Sequence, residues 1–190
     1  MRIEKLKRNY EVLVELVHFP LHPETPPEGL SLEALFGPDA AARRKRQARM
    51  KGLMHAEGLP YGERTHTYNS RLAQELGKWA DSRGDGGGDG GAIHDLLYKA
   101  YFVDGRNIGD SGVLIQIAQA AGLPADEARR VLAERSFREA IDGDWESSRR
   151  IGVTGVPTFA AAGQGVVGAQ PYEVLEQLLD AAGAKRRAAG

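Results

Sequence analysis

The sequence has no cysteine in its 190 residues. That excludes a disulfide, a thiolate-bound metal and a cysteine nucleophile made from these residues. There is no excess of charge of either sign: Lys and Arg total 25, Asp and Glu total 26, and the formal net charge is −1. At the level of the whole chain this excludes the basic footprint of a dedicated nucleic-acid protein and leaves no acidic tail. No apolar run approaches the ~20 residues of a membrane span. The opening MRIEKLKRNYEV lacks the apolar core of a secretory signal, so the cytoplasm is the expected location. Phosphate-binding Walker loops, G-x-S-x-G elbows and H-E-x-x-H helices are missing, and no repeat occurs.

What remains is ample for a folded core, with 42% hydrophobic residues in a length that suits one domain or a domain with a large insertion. Residues 2–10 have helical composition, with Ile3 and Leu6 spaced to share a face. Residues 11–19, EVLVELVHF, are apolar on both alternating sets, which predicts an interior strand. Pro20, Pro23, Pro26 and Pro27 end it. From Ser31 to about Gly152 the pattern is helical. It includes a short helix capped by Ser31, a long basic helix over 38–57, and one from Asn69 or Ser70 to Ala80. Helices follow at about 92–102, 111–121, 126–134 and 136–151, with Gly122 and Pro124 as stop signals. GDGGGDGG at 84–91 reads as a flexible loop. Pro157–Ala161 and Val166–Val167 read as strands about a turn at Gly163, and 171–182 as an amphipathic helix with Pro171 in its first turn. Strands flanking a helical block predict a single α/β domain.

The polar constellations are modest. His18 and His22 are four apart, but Pro20 and Pro23 exclude the helix that would bring them together as metal ligands. Arg43, Arg44, Lys45, Arg46, Arg49 and Lys51 form a basic run that winds round a helix, so a solvated surface is expected before a nucleic-acid site. Asp142, Asp144 and Glu146 read as surface acids rather than acid–base catalysts. The Gly-Asp loop at 84–91 is one copy only and cannot build a repeat-type calcium site. Near His66 and Tyr68, Asn69 and Ser70 stand where a helix N-terminus is expected and read first as caps.

Three stretches carry a family resemblance: PLHPETPPEG at 20–29; THTYNSRLAQELGKWA at 65–80 with LLYKAYFVDGRNIGD at 96–110; and GVTGVPTFAAAGQGVVGAQPYEVL at 152–175. In this order the chain resembles the FrnE-type proteins of the DsbA family. Their relatives include the kappa glutathione transferases and 2-hydroxychromene-2-carboxylate isomerases. The resemblance implies an α/β, thioredoxin-like fold over residues 1–190, with a helical insertion at about 31–151 and a strand–strand–helix ending at 152–184. It implies a cis bond before Pro157 and a substrate surface built from Gly155, Val156, Pro157 and Thr158. An extended peptide or a thiol-containing substrate is the expected partner, with neither nucleic acid nor membrane. Asn69 and Ser70 would lie near the ligand in a glutathione-binding reading.

Family members open with a strand and a C-P-W-C-type motif, and both are missing here. RIEKL matches the segment just after that motif. Two origins are open: a start placed downstream of the natural one, which the intact remainder favours, or a degenerate relative that lost its redox site. The class implied is thiol–disulfide oxidoreductase, with redox inactivity expected of the chain as written. No metal or catalytic residue is assigned, and no cofactor is expected, glutathione being the one small ligand the resemblance admits. The other readings are a non-redox glutathione- or peptide-binding protein, isomerase-like, and a structural pseudo-oxidoreductase acting as a homodimer.

Overall fold

The structure, a computed structural model, describes residues 2–83 and 92–188. The glycine-rich loop at 84–91 lies outside the described residues. In chain order the elements begin with α1 (Arg2–Asn9), β1 (Leu30–Ser31), α2 (Leu32–Phe36), α3 (Ala40–Ala56) and β2 (His66–Thr67). Then come α4 (Arg71–Ser82), α5 (Ala92–Tyr98), a π-helical turn (Lys99–Val103), α6 (Ser111–Ala120) and α7 (Ala125–Glu134). The last are α8 (Arg138–Arg150), β3 (Thr158–Ala161), β4 (Gln164–Val167) and α9 (Tyr172–Ala181). Two compact units result, Met1–Leu21 with Asp144–Gly190, and His22–Gly143.

The His22–Gly143 unit is built of helices whose apolar residues recur at helical spacing. Ala73, Leu76 and Ala80 with Trp79 on α4, Leu114, Ile117 and Ala118 on α6, and Ala128, Val131 and Leu132 on α7 are all buried in one cluster. Fully burying a side chain such as Leu76 or Leu114 contributes about 1.5–3 kcal/mol. The cap expected at Ser31 forms, and two aspartates not singled out in the sequence cap later helices. Ser31 accepts from the Ala34 N–H, Asp39 from Ala41 and Ala42, and Asp110 from Val113. Gly122 adopts φ +78° just beyond α6, the left-handed conformation that ends helices. The Asp104 N–H reaches back five residues to Lys99, giving the widened turn after α5. Gly62 donates to the Phe102 carbonyl at 2.8 Å, and a Cβ at Gly62 would collide with the Val103 carbonyl. β1 and β2 pair antiparallel, Leu30 opposite Thr67.

The Met1–Leu21 and Asp144–Gly190 unit holds α1, the β3–β4 hairpin and α9. Ala161 faces Gln164 across a two-residue turn in which Ala162 and Gly163 both have positive φ, 48° and 78°. That is the turn type whose twist matches paired strands. Leu6, Tyr10 and Leu175 are its buried centre, with Val12, Phe159 and Val166 packed against them. The Tyr10 hydroxyl donates to Asp180 at 2.9 Å. Burial, reinforced by that bond, pushes the Tyr10 phenol up to about 12.

Val12–Phe19 is not a strand, contrary to the alternation in its sequence. Among the described residues the only sheets are β1–β2 and β3–β4. The main chain of Val12 to Val17 makes no hydrogen bond there, and Leu13 is 91% exposed. The physical reason is that a strand exists only with a ladder partner, which an apolar pattern cannot supply by itself. No helix among the described residues is long and apolar enough to cross a membrane.

Candidate functional site

The loop ahead of β3 leaves the main chain of one residue unengaged beside an ordered strand. The Val156–Pro157 bond is cis. Val156 is 48% exposed, and its N–H and C=O make no hydrogen bond among the described residues. Its neighbours are tied down. Thr158 Oγ1 donates to the Gly155 carbonyl at 2.7 Å, and the Gly168 N–H donates to the Pro157 carbonyl at 2.7 Å. A rigid frame thus surrounds one residue whose donor and acceptor are both free. Extended peptides pair with such edges through the main chain.

In the other unit, Asn69 and Ser70 stand at the start of α4; Asn69 caps the Arg71 N–H, whereas the Ser70 side chain makes no cap hydrogen bond, which corrects its cap reading. The Asn69 amide nitrogen donates to the carbonyls of Thr25 at 2.8 Å and Pro23 at 3.2 Å, while its oxygen accepts from the Arg71 N–H at 2.9 Å. Both ends of that amide are therefore engaged in holding the 23–25 loop on α4. Ser70 Oγ accepts from Gln74 Nε2 at 3.1 Å. The His66 and Tyr68 rings stack at 6.0 Å.

The most buried charge was not singled out by the sequence. Glu75 is fully buried on α4, with Arg71 Nε at 2.8 Å from Oε1 and Arg135 Nη2 at 2.6 Å from the same oxygen. Arg135 Nε reaches Oε2 at 2.7 Å. Burial would push this carboxyl up, but the hydrogen bonds from Arg135 and Arg71 outweigh it and hold Glu75 below the usual carboxylate range. Arg135 is pushed up, first by the same hydrogen bond. The available signal was the i, i+4 spacing of Arg71 and Glu75. All the carboxylate's neighbours are cations that neutralise it, so the cluster braces α4 against the end of α7 and leaves no free base.

The acids expected at the surface divide. Asp142 pairs with Arg71 Nη2 at 2.7 Å and is 54% exposed, as a surface acid would be. Asp144 is 13% exposed and holds His18, accepting from its N–H at 3.2 Å and contacting Nδ1 at 3.0 Å. Asp144 therefore corrects the surface reading. An ordered chain segment needs an acceptor there, and a carboxylate two turns into α8 supplies one. No cluster of three or more metal-ligating side chains occurs among the described residues.

The family model of the DSBA-like thioredoxin domain matches residues 1–180, so the chain belongs to that family and has its thioredoxin-like fold. Among solved structures, a protein described as a probable DsbA oxidoreductase from Streptomyces coelicolor is similar at 28% identity with a TM-score of 0.75. The match covers 88% of this chain and 74% of that one. No curated protein matches.

Proposed function

We propose that this chain serves as the peptide-binding scaffold of a FrnE-type DsbA-family protein, receiving an extended, thiol- or disulfide-bearing peptide along Gly155, Val156, Pro157 and Thr158. The observation that carries this is the free main-chain N–H and C=O of Val156, held between the engaged carbonyls of Gly155 and Pro157. Main-chain pairing suits a substrate class defined by shape rather than by one side chain. Thiol–disulfide exchange needs an attacking thiolate, and these residues contain no sulfhydryl, so peptide binding and exchange separate in this chain. Glutathione at Asn69 and Ser70 is the weaker reading, because the Asn69 amide already spends its groups on Thr25, Pro23 and Arg71.

The test is calorimetric titration of the purified chain with an unfolded cysteine-containing peptide, beside an assay of disulfide reduction by dithiothreitol. Binding without catalysis is expected. V156A should bind like the parent, since the contact is main-chain, whereas V156P, which deletes the N–H, should lose about tenfold in affinity. Equal loss in both variants, or no binding by the parent, sinks the proposal. Catalysis above background would overturn the separation of binding from chemistry.

A further inference from the structure

Helix α3 stands apart from the rest of its unit in charge. Its sequence carries Arg43, Arg44, Lys45, Arg46, Arg49 and Lys51 and no acid, in a chain whose net charge is only −1. None of its residues is buried. Arg43 donates to the Gly37 carbonyl at 2.6 Å, Gln47 to that of Arg64 at 2.8 Å, and the Met54 sulfur lies 3.8 Å from the Tyr98 hydroxyl. Those three residues mark the side of α3 that faces its own unit. Arg44, Lys45, Arg49 and Lys51 have no acidic partner among the described residues.

Two further observations give this surface a shape. Lys45, Arg49 and Leu53 follow one another at four-residue spacing on the outward side, with Leu53 53% exposed, while Met50 lies nearer the side of Arg43 and Met54 and still exposes 40% of its surface. On the opposite flank, Arg44 and Lys51 line a cavity of about 280 Å³ with Tyr61, Gly62 and Glu63. The accessible arc of α3 therefore runs from the cationic pair Lys45 and Arg49 into the exposed apolar side chains of Leu53 and Met50, with Arg46 between those two. We infer that α3 is a docking surface for an acidic, amphipathic peptide helix of a partner protein. The partner's carboxylates would meet Lys45 and Arg49, and its apolar side chains would meet Met50 and Leu53. Charge complementarity selects an anionic partner. The exposed apolar side chains select a polypeptide over a nucleic acid, whose backbone offers nothing apolar. Methionine among them adapts to the contours of different partners. Outside α3 the chain carries 19 cations against 26 acids, so it gives a long polyanion little to hold beyond this one helix.

The experiment is fluorescence polarisation at low and moderate salt, using a labelled synthetic helix with glutamates on one face and leucines on the next. The parent should bind it, more weakly as salt rises. K45E/R49E should weaken binding by about tenfold or more, and M50A/L53A by several-fold. Circular dichroism melts of both variants should match the parent, because every altered side chain is exposed, and K45Q/R49Q repeats the charge test in milder form. A labelled single-stranded oligonucleotide and phosphatidylserine vesicles are the competing probes. The inference is overturned by failure of the acidic helix to bind at low salt. It is equally overturned if the charge variants bind like the parent, or if oligonucleotide or vesicles bind more tightly and ignore M50A/L53A.

Discussion

Among the described residues, the His22–Gly143 unit gathers thirteen buried hydrophobic residues into one cluster, whereas the cluster in the unit made of the chain's two ends has three. The difference follows from how each kind of element satisfies its backbone. A helix closes its hydrogen bonds within itself, so helices α4, α6 and α7 need only present apolar faces to one another. A strand depends on a neighbour, and β3 and β4 find only each other while Val12–Val17 finds none. The helical unit is thus a finished core, and the other rests on Leu6, Tyr10 and Leu175.

The sharpest way to break this comparison is to make the same truncation in both cores. Leu114 and Leu175 are each essentially inaccessible. Leu114→Ala should cost about 4 kcal/mol, because the dense cluster of α4, α6 and α7 cannot collapse round the cavity. Leu175→Ala should cost about 2–3 kcal/mol, because a three-residue centre beside a free edge relaxes more easily. Urea unfolding followed by tryptophan fluorescence and by circular dichroism measures both. Equal losses would mean that the smaller unit is packed as tightly as the larger.

The units should also differ in the direction of pH that weakens them. Glu75 in the helical unit has its folded pKa depressed by Arg135 and Arg71. Its contribution is present above the unfolded value of about 4.3 and is lost as pH falls through the folded one. Tyr10 in the other unit is raised to about 12. Its contribution is present below the unfolded value of about 10 and is lost as pH rises through the folded one. Glu75→Gln should therefore cost about 2–3 kcal/mol at neutral pH and flatten the acid limb of stability. That estimate sits below the usual cost of breaking a buried pair because Arg135 keeps some contact with water. Tyr10→Phe should cost about 1 kcal/mol and flatten the alkaline limb between about pH 10 and 12. Melting temperatures measured from acid to alkali check both. An acid limb unchanged in E75Q would show that other carboxylates govern it.

The same contrast explains what could be read in advance. The helix expected over 126–134 is observed as Ala125–Glu134, that over 111–121 as Ser111–Ala120, and the basic helix over 38–57 as Ala40–Ala56. In α6 and α7 the apolar spacing lies within the element itself, and in α6 and α3 an aspartate immediately before the element, Asp110 or Asp39, caps it. The β3–β4 hairpin was legible because Gly163 marked its turn, so partner and register came together. Val12–Phe19 was misread because its alternation describes a strand's faces but says nothing of its edges. The two-residue pair of Leu30–Ser31 with His66–Thr67 is too short to leave a pattern. Within the site, the Gly155–Thr158 loop was marked by the GVPTF stretch, and Asn69 by its place before a helix. That Val156 keeps its main chain free while Asn69 spends its amide depends on residues distant in sequence, Gly168 and Thr25 among them.

The smallest predicted effect probes the Val12–Val17 segment directly. Leu13 is almost wholly exposed, and Glu11 and Glu15 flank it, both exposed. Leu13→Lys removes no buried apolar surface and brings a cation between two carboxylates, so the change in stability should stay within about 0.5 kcal/mol. Val12, its neighbour, packs against the Leu6–Tyr10–Leu175 centre, and Val12→Lys should cost about 1–2 kcal/mol by withdrawing apolar contact and placing an ammonium against it. The pair therefore reads the two sides of one segment. Leu13→Lys should also lower light scattering of concentrated samples, since an unpaired apolar main chain with Leu13, Leu16 and Val17 exposed is a template for association. A loss above about 2 kcal/mol for Leu13→Lys would place an apolar partner over this face in solution and would make the small unit's edge a covered one.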